Sequence, residues 1–208
     1  KLLLNNLICN VFKLKLILMR RYIFFAFLLC CSTILFSQNH TLFLKSGDID
    51  VKYDFIIDTK QQLNYCFMVF SEIPTNKVKE EIKNYGIAFL EYIPENAYVV
   101  SIPKNINVSS LSRFDVIAIS AISPFCKIDP KLQNNNFPSW ALDNNKLSVK
   151  VLLYKNANIY TVKDYLMSNN YQIDEINNSS NSISLTIEAE NLSLLSEINE
   201  IWYIEPID

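Results

Sequence analysis

Residues 64–124 and 147–208 run through the same succession of strand-like and helix-like stretches, and a chain that repeats such a unit has few ways to bury both copies. In the first copy, Tyr65-Cys66-Phe67-Met68-Val69-Phe70 reads as a buried strand. Thr75 or Asn76 caps a helix running to Tyr85, with Val78, Ile82 and Tyr85 on one face, and Gly86 ends it as a C′ glycine. Strands Ile87–Tyr92 and Ala97–Ile102 follow, joined by the turn Pro94-Glu95-Asn96. Asn107 or Ser109 starts a short helix with Val108, Leu111 and Phe114 inward, and strand Val116–Ile122 is stopped by Pro124.

The second copy gives strand Leu147–Leu153, a helix over Asn158–Ser168, strands Tyr171–Ile176 and Ser182–Ile187, a helix carrying Leu192, Leu195 and Ile198, and strand Ile201–Glu205. The order β-α-β-β-α-β, twice over, predicts an α+β chain of two tandem ferredoxin-like modules. Each antiparallel sheet is expected to be covered by two helices on one face and open on the other. The expected boundaries are a signal region over 1–38, an extended segment over 39–63, a module over 64–125, a linker over 126–146 and a module over 147–208. Phe137 and Trp140 are too apolar for a freely solvated tether, so the linker is expected to pack along a module.

Met19-Arg20-Arg21 precedes the apolar run Ile23–Phe36, which ends at Ser37-Gln38. The run falls short of the roughly 20 residues a spanning helix needs, so a cleaved secretory signal starting at Met19 is expected, with no permanent membrane anchor. Export to the periplasm or the extracellular space follows.

Composition excludes several classes of function. Only Gly47 and Gly86 occur, so no phosphate-cradling loop, dinucleotide fingerprint or Gly-x-Ser-x-Gly elbow can form. Net charge is −2, which disfavours a nucleic-acid partner. The single histidine, His40, has no metal-ligand spacing around it, and neither metal nor cofactor is expected. Beyond the signal region only Cys66 and Cys126 remain. They either pair in an oxidising compartment or lie apart as small buried apolar side chains, and their strand-like settings favour the second. Tyr92 and Tyr98 read as a cross-strand pair, and Glu80-Glu81 with Glu188 and Glu190 as solvated surface charge.

Three stretches resemble the N-terminal prodomain region, fervidolysin-like or subtilisin-propeptide-like, of secreted bacterial subtilisin-like serine proteases. They are Leu42-Phe43-Leu44-Lys45-Ser46-Gly47, the segment Gly86 to Tyr98, and Ile201-Trp202-Tyr203-Ile204-Glu205-Pro206-Ile207. The resemblance implies a non-catalytic chaperone or inhibitor of a protease domain, in cis or in trans, or a truncated remnant of one. It implies contact through the open sheet face of the second module and the terminal residues Tyr203, Ile204, Glu205, Pro206, Ile207 and Asp208. The sequence departs from the family in lacking the Asp, His-Gly and Gly-Thr-Ser catalytic set. A cell-surface adhesion protein that binds through open sheet faces is the alternative.

Overall fold

The computed structural model describes residues His40–Ile207. Among these residues eleven strands form three sheets. β1 (His40–Leu44) and β2 (Gly47–Val51) make a two-stranded hairpin. The second sheet runs β4-β5-β3-β6, from β3 (Leu63–Phe70), β4 (Ala88–Ile93), β5 (Ala97–Pro103) and β6 (Val116–Ala121). The third runs β11-β8-β10-β9, from β8 (Lys146–Leu153), β9 (Gln172–Asn177), β10 (Ser182–Glu188) and β11 (Ile201–Pro206), with the short β7 (Leu142–Asp143) paired to β8. Every pairing between these strands is antiparallel. Tyr92 and Tyr98 sit opposite each other on β4 and β5, with ring centroids 5.2 Å apart.

Helices are short: α1 (Asn76–Lys83), α2 (Ile159–Ser168) and α3 (Leu192–Ser196). Thr75 caps α1 by accepting from the Val78 N–H, and Asn158 caps α2 by accepting from Tyr160 and Thr161. Gly86 takes φ +79°, and a Cβ there would meet the Pro103 ring at 3.0 Å, so glycine is favoured on both counts.

These observations correct the expectation of two tandem ferredoxin-like modules. Among the described residues the chain is mostly antiparallel sheet, in three sheets, and the helices are too few and short to cover one face of each sheet with a pair. In the first half the expected second helix is a 3-10 segment, Val108–Phe114. Its apolar residues Val108, Leu111 and Phe114 recur every three positions, a spacing that stacks on one face of a helix with three residues per turn and drifts around an α-helix.

The first-half sheet has no open face either. On one side Cys66, Met68 and Phe70 of β3 pack with Ile82 of α1 and with Leu111 and Phe114. On the other side Tyr65, Phe67 and Val69 pack with Leu42 and Val51 of the hairpin, with Cys126, and with Tyr154 and Trp202 from the second half. Tyr65 and Tyr154 stack with centroids 3.9 Å apart, a contact that contributes about 1 kcal/mol beyond burial. The segment over 39–63, which the sequence left unplaced, thus closes a sheet face. Cys66 and Cys126 are free, buried and on opposite faces of that sheet.

The third sheet differs. Leu147, Val149, Val151 and Leu153 of β8 point to the helices with Ile183, Leu185 and Ile187, while the alternate residues point away. Phe137 packs against this core and Trp140 stays about half exposed.

Turns are built with little glycine. Among the described residues, nine non-glycine positions have positive φ, and seven of them are asparagine. Asn144-Asn145 closes the β7–β8 hairpin as a two-residue turn with both φ positive, the geometry that matches strand twist. Asparagine tolerates the left-handed region because its short side chain bonds locally.

Candidate binding surfaces

Of the terminal residues singled out from the sequence, Tyr203, Ile204, Glu205 and Pro206 lie in the edge strand β11, and Ile207 follows it. Ile204 is fully buried in the core, and Tyr203 is 8 % exposed. The Tyr203 hydroxyl donates to Asp129 Oδ2 at 3.0 Å, and the Lys45 ammonium, from the β1–β2 turn, meets the same oxygen at 2.7 Å. Lys45 also lies 4.8 Å from the centre of the Tyr203 ring. The Lys131 N–H donates to Asp129 Oδ1, and the Asp129 N–H donates to the Ile204 carbonyl.

Burial alone would raise the Asp129 pKa, but Lys45, the Lys131 N–H and Tyr203 outweigh it and hold the carboxyl below its ordinary 3.8. Burial, and then the bond to Asp129, push the Tyr203 phenol upward. Glu205 and Pro206 pair with Lys150 and Val149, and the Ile207 N–H donates to the Ser148 carbonyl. Asp208 lies outside the described residues, as does the stretch 1–38 in which a signal is expected.

The face of the third sheet turned from the helices carries short polar side chains. Ser182, Ser184 and Thr186 form a row along β10, flanked by Ser148, Lys150 and Leu152 of β8. Asp174 and Glu175 of β9 border it on one side, and Glu205 and Tyr203 of β11 on the other. Thr186 donates to Asp174 at 2.8 Å. Ser182 and Ser184 are themselves buried, at 2 % and 9 % exposed, whereas Ser148, Lys150, Leu152 and Thr186 are partly exposed, and Lys45 and Asp129 lie at the β11 border.

Two cavities lie elsewhere. One, of about 850 Å³, is the cleft between α2 and α3. The other, of about 300 Å³, lies where the first-half sheet, the 126–146 segment and the second half meet. Gln61, Glu197 and Asn199 line both, so the two adjoin.

The smaller cavity holds Lys127, 5 % exposed, whose Nζ donates to the Ile198 carbonyl at 2.8 Å. Burial lowers the Lys127 pKa to about 8, against the opposing pull of Glu200 and Cys126. Tyr154 also lines it; its buried hydroxyl has no hydrogen-bond partner, and burial holds its ionisation well above the ordinary range. Nothing in the sequence around Lys127 marks it as buried, since it follows Cys126 in a segment that reads as a connection. His40 opens β1 and pairs with Val51. No group of three or more His, Cys, Asp or Glu that could hold a metal ion occurs among the described residues.

Fold and surfaces together define a class: layered antiparallel sheets, one closed on both faces and one closed by helices on a single face. A family described as Domain of unknown function (DUF8729) matches residues 42–125. That range takes in the hairpin and the first-half sheet, the two parts that share a core. No curated protein and no solved structure matches the chain.

Proposed function

We propose that this chain is an exported, non-catalytic protein-binding module of the protease-prodomain type. It docks the polar face of the third sheet, the one turned from the helices, on the catalytic domain of a subtilisin-like protease, in cis or in trans. The observation that carries the reading is the contrast between the two larger sheets: one packs apolar side chains on both faces, and the other turns a polar, partly exposed face away from its helices. Short hydroxyl side chains from β10 let a partner approach closely, and Lys150 with Glu205, Asp174 and Glu175 supplies charges that fix orientation. Because Tyr203 and Ile204 are held in their own fold, the terminal contribution falls to the partly exposed Glu205, Pro206 and Ile207.

Titrating the purified chain into secreted subtilisin-like proteases, with residual hydrolysis of a peptide substrate as readout, tests this. Inhibition by the parent chain is expected, and Ser184→Arg, which sets a long charged side chain in the middle of the face, should weaken it by about tenfold or more. Failure of the folded chain to inhibit, or equal inhibition by a folded Ser184→Arg variant, would refute the reading. An adhesion role would instead leave protease activity untouched.

A further inference from the structure

We infer that the cleft between α2 and α3 is a binding site for a neutral saccharide chain. Thr161, Tyr165 and Asn169 recur every four residues along α2, so they share the face turned to the cleft. Asn191, Leu194 and Glu197 recur every three along α3 and face them. The ends are set by Asn170 with Tyr171 and by Gln61 with Asn199, over a floor that includes Val162 and Ile187. A volume of about 850 Å³ lies in the upper part of the range of small-molecule sites.

The lining selects the ligand. Lys146 stands against Glu188, Glu197 and Glu200, so the cleft is net acidic and repels phosphates and carboxylates. A wholly apolar ligand would leave the carboxamides desolvated and unpaired, at about 1–3 kcal/mol each. Among the described residues, the side chains of Gln61, Thr161, Asn170 and Asn191 make no hydrogen bond to the protein, so their donors and acceptors are available.

A sugar hydroxyl donates once and accepts twice, which suits carboxamides that do both and carboxylates that accept. The C–H faces of the sugar ring need apolar support, and Tyr165 and Leu194, 52 % and 57 % exposed, provide it. Through Gln61, Glu197 and Asn199 the cleft continues into the smaller cavity, which suits an extended chain better than a single compact ring. The site lies on the helix-covered side of the third sheet, opposite the face proposed for the protease, so both can be filled together.

Isothermal titration of the purified chain with tetrasaccharides of β-1,4-glucose, β-1,4-N-acetylglucosamine, α-1,4-glucose and β-1,4-mannose, with tetragalacturonate as the anionic comparison, tests the inference. At least one neutral tetrasaccharide is expected to bind with Kd of about 1 mM or tighter. Tyr165→Ala and Thr161→Ala, both at exposed positions, should each weaken it by about tenfold, while Ser184→Arg on the opposite face should leave it unchanged. Binding of none of the neutral chains, preference for tetragalacturonate, or undiminished binding by folded Tyr165→Ala would overturn it.

Discussion

Replacing Lys127 by Met tests how the junction between the two halves is held. The drop of the Lys127 pKa from 10.5 to about 8 means that the folded state carries its ammonium at a cost of about 3 kcal/mol at neutral pH. The sign follows from proton counting. Between about pH 8 and 10.5 the unfolded chain keeps the proton that the folded chain has lost, so stability rises with pH across that window. Below it the penalty is present in full.

Methionine has a similar reach and no charge, so it removes the penalty and also leaves the Ile198 carbonyl without its donor, a loss of about 1–3 kcal/mol. The two effects nearly offset at pH 7, and the informative quantity is the pH dependence. From pH 7 to about pH 10 the parent chain should gain about 2–3 kcal/mol relative to Lys127→Met. Tyr65 and Tyr154, whose ionisation burial pushes upward, cancel because both chains carry them. Urea unfolding followed by tryptophan fluorescence reads the junction, since Trp202 lies 5.5 Å from Tyr154. Parallel stability curves for the two chains over this range would refute the buried-ammonium argument.

Asp129→Asn should flatten the acid limb of stability. The Asp129 pKa is depressed in the folded chain, so its contribution is present above the ordinary 3.8 and is lost as pH falls through the folded value; midpoints of denaturation from pH 6 downward would show it. Glu95, at φ 68°, holds a left-handed conformation that glutamate disfavours, so Glu95→Asn should stabilise by about 0.5–1 kcal/mol and raise Tm by about 2 °C in calorimetry. Cys66 and Cys126 are buried and unpaired, and burial pushes the Cys66 thiol up, so neither should react with iodoacetamide until the chain is unfolded; rapid native labelling by mass spectrometry would contradict the packing.

The strands were legible because apolar runs bounded by Pro, Asn and Gly are strong signals, and the α1 and α2 caps at Thr75 and Asn158 could be read the same way. The difference between the two larger sheets was also written in the residues. Tyr65–Phe70 is apolar at every position, the mark of a strand buried on both faces, whereas β8 alternates Leu147, Val149 and Val151 with Ser148 and Lys150, the mark of one buried face. What the strand order could not supply was the cover for the first of these. That cover comes from a hairpin distant in sequence and from Tyr154 and Trp202, and no local pattern announces such a partner. The cleft was half visible: the spacing of Thr161, Tyr165 and Asn169 on α2 could be counted, but the facing α3 is a five-residue turn whose position depends on tertiary packing.

The tie between Lys45, Asp129 and Tyr203 bears on how the chain is made. The β1–β2 turn meets its partners only when the last strand exists, and Asn199 reaches back to the Leu63 carbonyl across 136 residues. Closure over such separations is slow, and until it happens the apolar row Tyr65, Phe67 and Val69 faces water. A nascent copy therefore spends its longest vulnerable interval with that row unprotected, and holding proteins that recognise extended apolar strands would bind it there.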